Sequence, residues 1–200
     1  MDSNGSKTWF AIFSPPGEAG GRSAEERFYR HFAEPAARYV ARLRLGAQDA
    51  EDVVQEALTL AILALRKGTF DPGRGRLSAW VFRIVSNRAR DARRQRRSRR
   101  EARGYSALGE LRAPDLSEQV WMEELDGSLF RRALELLRGR GGPGPRALRA
   151  FELHTLQDRP LAEVAATLEM SRDAAYRADK RCRERLRELR DRLGAELESY

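Results

Sequence analysis

The sequence predicts an all-α protein of two small helical domains joined by a linker, the second containing a helix-turn-helix. From about Ala24 onward, apolar residues recur at spacings of three and four, which is the period of an amphipathic helix. Clusters of Gly and Pro interrupt this pattern at residues 68–76, 104–115 and 138–145, where we expect loops. A chain of 200 residues suits one or two small domains that each bury a core.

The sequence is predicted to form four parts. We expect an irregular segment over residues 1–22, which contain Ser, Gly and the pair Pro15–Pro16. A first helical domain follows over residues 23–103. Residues 104–116 lack a clear period and are predicted to form the linker, and residues 117–196 form the second domain.

The first domain opens with two predicted helices. One runs from Ala24 to a stop near Gly46, and Asp49 is then expected to cap the second, which continues to about Lys67. Acidic and amide groups lie on the outer side of its first turns, where negative charge also suits the helix dipole: Asp49, Glu51, Asp52, Gln55 and Glu56. This charge is either ordinary N-terminal helix charge or a docking face.

The stretch Leu77 to Arg103 carries ten arginines against Asp91 and Glu101, a formal charge of +8 that equals the net charge of the whole chain. Its apolar residues occupy one helical stripe, so the helix can dock on a core while its cationic side faces a polyanion. Trp80, Phe82 and Asn87 can stack on bases or bond base edges. The alternative is a solvated basic helix end or a disordered tail.

The loop before this helix, residues 68–76, contains Phe70, Arg74 and Arg76. Such a loop beside a basic helix can hold an unstacked base, or it can simply connect two helices. The sequence leaves both interpretations open.

The second domain contains a helix over Val120–Leu137 and three shorter helical runs from Arg146. Ser171 is a good N-cap for the last run, which we expect to reach about Leu193. Its first turns carry a polar and basic face, and with the preceding run Leu161–Leu168 this matches a helix-turn-helix that enters the major groove: Ser171, Arg172, Tyr176, Arg177, Lys180 and Arg181. An antiparallel helical hairpin with a basic surface is the alternative. We expect Asp179 to reach Arg183 or to be exposed.

Composition limits the function classes. The pI near 10.3 favours an anionic partner, with nucleic acid ahead of a membrane surface. The single cysteine, Cys182, excludes an internal disulfide and fits a reducing cytosol, and no apolar run is long enough to insert into a membrane. His31 and His154 lie far apart, and no phosphate loop, metal-ligand spacing or nucleophile motif is present. We therefore expect no enzyme activity, cofactor or metal.

Three segments resemble the extracytoplasmic-function group of bacterial RNA polymerase sigma factors. DAEDVVQEAL (residues 49–58) resembles the core helix of sigma region 2, and WVFRIVSNRARDARRQRR (residues 80–97) resembles the helix that follows it. LAEVAATLEMS (residues 161–171) resembles the helix-turn-helix of region 4. The resemblance covers roughly residues 24–193 and implies a cytoplasmic, non-enzymatic subunit that directs polymerase to promoters.

The resemblance also implies partners and binding residues. Asp49, Glu51, Asp52, Gln55 and Glu56 match the face that docks on the coiled coil of the polymerase β′ subunit. Phe70, Arg74, Arg76, Trp80, Arg83, Asn87, Arg90 and Arg94 match the loop and helix that face the melted −10 element. Ser171 to Lys180 match the helix that enters the −35 major groove. An anti-sigma factor is a further partner that many relatives have.

Region 4 departs from the family pattern. Ala174 and Ala175 stand where Thr-Val is usual, and Tyr176 stands where Lys is frequent. Two alternatives therefore stay open: a sigma-like protein that binds polymerase or a regulator without specific −35 recognition, and a free-standing helix-turn-helix regulator. The acidic face at residues 49–56 argues against the second, because a simple regulator does not need it.

Overall fold

The protein is all-α, as the sequence predicts. A computed structural model describes residues 19–102, 117–139 and 142–199, and within these ranges it contains seven α-helices and no strands. The helices are α1 (Ala19–Ala41), α2 (Ala47–Arg66), α3 (Leu77–Ala102), α4 (Glu118–Arg138), α5 (Pro145–Phe151), α6 (Leu161–Thr167) and α7 (Arg172–Glu198). A 3-10 turn (Pro72–Arg74) precedes α3, and a π-helical turn (Glu152–Leu156) follows α5.

The chain forms two compact units. Among the described residues, the first contains those up to Gly127 together with residues 197–199, and the second is Ser128–Glu196. The predicted linker at 104–116 lies outside the described residues, as do residues 1–18 of the predicted irregular segment. Residues 19–22 of that segment are helical and belong to α1.

The core of the first unit follows the predicted apolar stripes. The side chains of α1 at Phe28, Phe32, Tyr39 and Val40 are fully buried. On α2, Ile62 is half-buried, and the apolar residues beside it, spaced by three and four, are buried: Val53, Val54, Ala57, Leu58, Ala61 and Leu65. On α3, Leu77, Val81 and Val85 face the same core. The period of the apolar residues therefore determined correctly which side of each helix is buried.

The junction between α1 and α2 differs from the prediction in detail. Gly46, expected to end the first helix, instead precedes α2 as its N-cap residue, and Asp49 lies within the first turn rather than at the cap. The chain reverses at Arg44, whose φ of 54° is left-handed. The Arg44 carbonyl accepts a hydrogen bond of 2.6 Å from Arg96 Nη1, which ties this turn to α3.

The start of α4 packs in the first unit, although the sequence assigned residues 117–127 to the second domain. Trp121 is fully buried there. Its ring stacks at 6.4 Å on Phe32, meets Tyr39 edge-on at 5.9 Å and lies 6.1 Å from Phe82. Aromatic pairs at these separations are favourable beyond the area they bury. The spacing of apolar residues in α4 predicted that this face is buried, but not that the rings of α1 and α3 cover it.

The second unit has its own apolar core. One cluster joins α4, α5 and α7 through Ala133, Leu137, Phe151, Cys182, Leu186, Leu189 and Leu193. Another brings α6 against α7 through Val164 and Ala178. A turn over residues 168–171 joins α6 to α7, with Glu169 at a φ of 49°. Ser171 Oγ accepts a hydrogen bond of 3.1 Å from the amide of Ala174, so Ser171 caps α7 as predicted, and α7 continues past Leu193 to Glu198.

Candidate nucleic-acid and protein interfaces

The acidic residues of α2 are all exposed and divide between two grooves of the first unit. Asp49, Asp52 and Glu56 form one wall of a groove of about 200 Å³, whose other wall is α3 with Arg88, Asp91, Ala92, Gln95, Arg96 and Arg99. The three carboxylates therefore lie opposite three guanidinium groups without forming a close ion pair with them among the described contacts. This groove presents both signs of charge to a partner.

Glu51 and Gln55 lie on the opposite flank of α2. They line a groove of about 360 Å³ with Val54 and with small or aromatic residues of α1 and α2: Tyr29, Ala33, Ala37, Ala47 and Ala50. The Tyr29 side chain is 46% exposed, which is high for an aromatic residue. This flank is apolar with a polar edge, a composition that suits a packed protein contact better than a nucleic acid.

The loop before α3 is held in a defined shape by local hydrogen bonds. Asp71 Oδ1 accepts a 2.9 Å bond from the amide of Gly73, and Thr69 Oγ1 donates a 2.9 Å bond to the carbonyl of Ala64. Gly75 has a φ of 145°, a conformation that side chains with a Cβ rarely adopt. This shape leaves Arg74 and Arg76 exposed.

Phe70 and Trp80 are brought together across this loop. Their ring centroids are 5.4 Å apart with a tilt of 51°, and both side chains are half-buried. The residues are separated by the glycine-containing loop, so their pairing was not evident from helical spacing. A half-buried aromatic pair with two exposed arginines beside it has the chemistry to stack an unpaired base and neutralise its phosphate.

The basic side of α3 faces solvent. Arg83, Asn87, Arg90 and Arg94 follow Trp80 at spacings of three and four, so the five residues share one face of the helix. All four polar side chains are exposed, and Arg90 Nη1 donates to Asn87 Oδ1 at 3.2 Å. Arg94 pairs with Asp91 in the same turn. The stripe can contact phosphates along its length and offers the Asn87 amide to a base edge.

Phe82 was wrongly expected to be available for base stacking. It is 8% exposed and packs edge-on against Tyr39 at 5.8 Å, next to Trp121. Its position, two residues after Trp80, turns it from the exposed face of α3 toward the core. The helical period contained this signal, and it shows that Phe82 is a core residue.

The candidate −35 residues are all exposed, with Ser171 at the cap of α7 and the others in the first half of the helix. Arg172, Tyr176 and Lys180 are spaced by four residues, and so are Arg177 and Arg181 one step around the helix. Tyr176 is 49% exposed. Arg177 and Arg181 border a groove of about 490 Å³ with a largely apolar floor that includes Pro145, Ala147, Met170, Ala174 and Ala178.

Polar contacts of Asp179 and Arg146 help to hold α7 and the turn before it in place. Asp179 is fully buried, and its carboxylate accepts hydrogen bonds from Arg183 Nε at 2.8 Å and Thr155 Oγ1 at 2.5 Å. The predicted Asp179–Arg183 pair is therefore present. Arg146 Nε donates to the carbonyl of Leu168 at 2.8 Å and its Nη2 to the carbonyl of Glu169. Arg146 thus holds the turn that leads into α7, a role that its sequence context did not reveal.

No catalytic role is expected for Cys182 or His154, and both contact backbone carbonyls of the second unit. Burial raises the pKa of the Cys182 thiol, with Asp179 adding to the effect, so the thiol stays protonated within the core. His154 Nδ1 lies 2.8 Å from the carbonyl of Arg159. Within residues 19–102, 117–139 and 142–199, no three His, Cys, Asp or Glu side chains are grouped closely enough to hold a metal ion.

The first unit thus has the features of a helical nucleic-acid-binding domain: an exposed basic stripe, an aromatic pair beside it and a separate acidic face. The family model described as Sigma-70 region 2 matches residues 28–99, which include α2, the loop and nearly all of α3. Region 2 is the part of a sigma factor that binds RNA polymerase and takes part in promoter melting, and such factors are in general not enzymes. A search of curated proteins found no match. None of the described helices has the length and apolar character needed to cross a membrane.

Proposed function

We propose that the protein is a bacterial sigma factor of the extracytoplasmic-function type, which directs RNA polymerase core to specific promoters in the cytoplasm. The observation that carries the proposal is the coincidence of the sigma-70 region 2 match with the exposed basic stripe of α3 beside the Phe70–Trp80 pair. The chain carries out no catalysis of its own in this role. Its contribution is binding energy that favours polymerase at a promoter and favours separated strands there.

The acidic face of α2 is the proposed docking site for the β′ coiled coil of polymerase. Asp49, Asp52 and Glu56 offer carboxylates on one flank, and Glu51 and Gln55 offer a polar edge to an apolar groove on the other. A helical partner can therefore form charged contacts and bury apolar surface across one face of α2. Charged contacts of this kind fix orientation and association rate, and the apolar groove adds affinity. An anti-sigma factor that competes with polymerase would use the same surface.

The loop and α3 are the proposed −10 site. Melting requires a surface that binds an unpaired base better than a paired one, because unstacking a base costs free energy. Phe70 and Trp80 supply that preference by stacking, while Arg74, Arg76, Arg83, Arg90 and Arg94 hold the phosphates of the same strand. Asn87 is the residue of this stripe best suited to bond a base edge.

The second unit is the proposed −35 reader, with Ser171, Arg172, Tyr176, Arg177, Lys180 and Arg181 facing the major groove. The exposure of all six and the Ser171 cap at the start of α7 support this assignment. Ala174 also favours a second candidate, a sigma-like protein without specific −35 recognition, because it offers no hydrogen bond to a base where the family usually has Thr. The groove beside it still presents Arg177 and Arg181 to phosphates.

The test is run-off transcription with purified protein and RNA polymerase core on a library of genomic fragments. We expect defined transcripts with the wild-type chain and none with the double variant Glu51→Arg, Asp52→Arg, which should also fail to retain core in a pull-down. Both positions are exposed, so the fold should survive, as circular dichroism would show.

The matched control, Glu188→Arg with Asp191→Arg, reverses the charge of two exposed acidic residues of α7. It should leave the binding of polymerase core intact. If the wild-type chain starts no transcript from any fragment, the proposed function is wrong. If transcripts persist with Glu51→Arg, Asp52→Arg, the function stands but α2 is not the docking face.

A further inference from the structure

The carboxylate of Glu198 lies on the start of α3, beside the proposed −10 loop. Glu198 belongs to the first unit, and its side chain is 22% exposed. Its Oε2 accepts a 2.8 Å hydrogen bond from the amide of Leu77, and its Oε1 accepts one of 2.5 Å from Ser78 Oγ. The same oxygen lies 3.4 Å from Arg76 Nε. One carboxylate thus engages three donors of consecutive residues.

Hydrogen-bond donors of these three types also bind the phosphates of nucleic acids. The amide of Leu77 is in the first turn of a 26-residue helix, where it has no partner within the helix and where the helix dipole favours an anion. Arg76 adds a full positive charge and Ser78 a hydroxyl. Trp80 follows within one helical turn, so a strand whose base stacks on Trp80 would bring its phosphates to the same place.

We propose that Glu198 is an autoinhibitory group: its carboxylate occupies Arg76, the Leu77 amide and Ser78, and single-stranded DNA must displace it to bind along α3. This inference rests on the proposed −10 role of the loop and α3. Two anions cannot share the three donors, because their charges repel and each donor has one hydrogen directed at its acceptor. The free protein would therefore bind single-stranded DNA more weakly than its exposed arginines allow.

A purely structural cap is the competing explanation, and it makes the opposite prediction for DNA. If Glu198 only stabilises the start of α3, replacing it should loosen this helix and weaken any binding along it. If Glu198 competes with DNA, replacing it should strengthen binding while the same helix start becomes less protected. The affinity for DNA therefore separates the two explanations.

The experiment measures binding of the full chain to a fluorescent pool of random-sequence single-stranded DNA by anisotropy. Glu198→Gln removes the charge, and Glu198→Asp keeps the charge but shortens the side chain so that it no longer reaches the three donors. We expect both to bind the pool more tightly, on the order of tenfold for Glu198→Gln. The control Glu188→Gln makes the same charge change at an exposed residue of α7 paired with Arg185, and it should have little effect.

Hydrogen exchange at the amides of residues 77–80 gives the second readout. It should be faster in both Glu198 variants and unchanged in Glu188→Gln, whether or not DNA is present. If the wild-type chain binds the pool and the Glu198 variants bind equally or more weakly, the autoinhibitory proposal is overturned. A gain of the same size in Glu188→Gln overturns it as well, because net charge would then explain the effect. If neither the wild-type chain nor the variants bind single strands, the proposed −10 function itself fails and the inference falls with it.

Discussion

Truncating Trp121 tests whether the first turns of α4 are part of the first unit. Trp121 is fully buried and contacts the rings of Phe32, Tyr39 and Phe82. Replacing a buried Trp by Ala typically costs about 3–5 kcal/mol, through lost burial and the cavity left behind. Aromatic pairs contribute about 0.5–1.5 kcal/mol each beyond area, so three of them place Trp121→Ala in the upper part of that range. This loss is a large fraction of the stability of a small domain.

A second variant uses an unusual feature of the same residue. Trp121 Nε1 is buried and has no hydrogen-bond partner among the described residues. An unpaired buried donor costs about 1–3 kcal/mol, and Trp121→Phe removes it while keeping an aromatic ring in the cluster. We therefore expect Trp121→Phe to cost only about 1–2 kcal/mol, clearly less than Trp121→Ala.

Urea unfolding monitored by hydrogen exchange and mass spectrometry measures both the size and the place of the effect. Peptides from α1 and α3 should lose protection in Trp121→Ala, while peptides from α6 should keep it, because α6 lies in the other unit. A cost of less than about 1 kcal/mol for Trp121→Ala would contradict this prediction, and so would a loss of protection in α6 without one in α1 and α3. Either result would mean that residues 117–127 do not belong to the core of the first unit.

Four further outcomes are expected. Asn87→Ala should reduce strand opening at −10, measured by permanganate reactivity, more than binding of duplex promoter DNA, and equal losses would contradict a role at base edges. Arg177→Ala should weaken duplex −35 binding and lower its salt dependence, whereas unchanged affinity at low salt would show that α7 does not touch DNA. Arg183→Ala should destabilise the second unit by about 1–3 kcal/mol in urea melts, because it deprives the buried Asp179 carboxylate of a charged donor. Adding Asp179→Leu should recover part of this loss by removing the buried charge, and a larger loss would oppose that account. Cys182 should resist iodoacetamide until the protein is denatured, and rapid labelling of the native protein would disprove its burial. Burial raises the pKa of the Cys182 thiol in the folded protein above its ordinary value of 9.0, so the fold favours the protonated thiol. The free energy of unfolding should therefore decline as the pH rises above 9.0.

The buried faces of the helices could be predicted from the sequence because they depend on local spacing. The stripe of α2 and the aromatic residues of α1 recur with the helical period, and a helix can bury such a face in only one orientation. The exposed charges were predictable for a related reason. Ionised side chains such as Arg83, Arg90 and Glu51 are too costly to bury without partners, so a pattern that places them opposite the apolar stripe also places them in solvent.

The contacts between helices could not be predicted from the sequence. The helical period shows which face of a helix is apolar, but not which other helix covers it. Trp121 packs on Phe32 and Tyr39, more than eighty residues earlier in the sequence, and this contact assigns the start of α4 to the first unit. Glu198 reaches Leu77 across a separation of 121 residues. Contacts of this kind depend on how the chain folds back on itself, and local sequence carries no signal for that.

Local sequence was therefore enough to predict the helical class, the buried stripes of α1 and α2, and the positions of the basic and acidic faces, because spacing and the cost of burying charge act within a few residues. The folded chain was needed to show that Phe70 pairs with Trp80, that the acidic face of α2 divides between two grooves, and that Trp121 of α4 packs against Phe82. These features depend on complementary shapes and charges that come together when separate helices and loops pack. Side-chain packing determines these contacts, and the helical spacing of apolar residues does not.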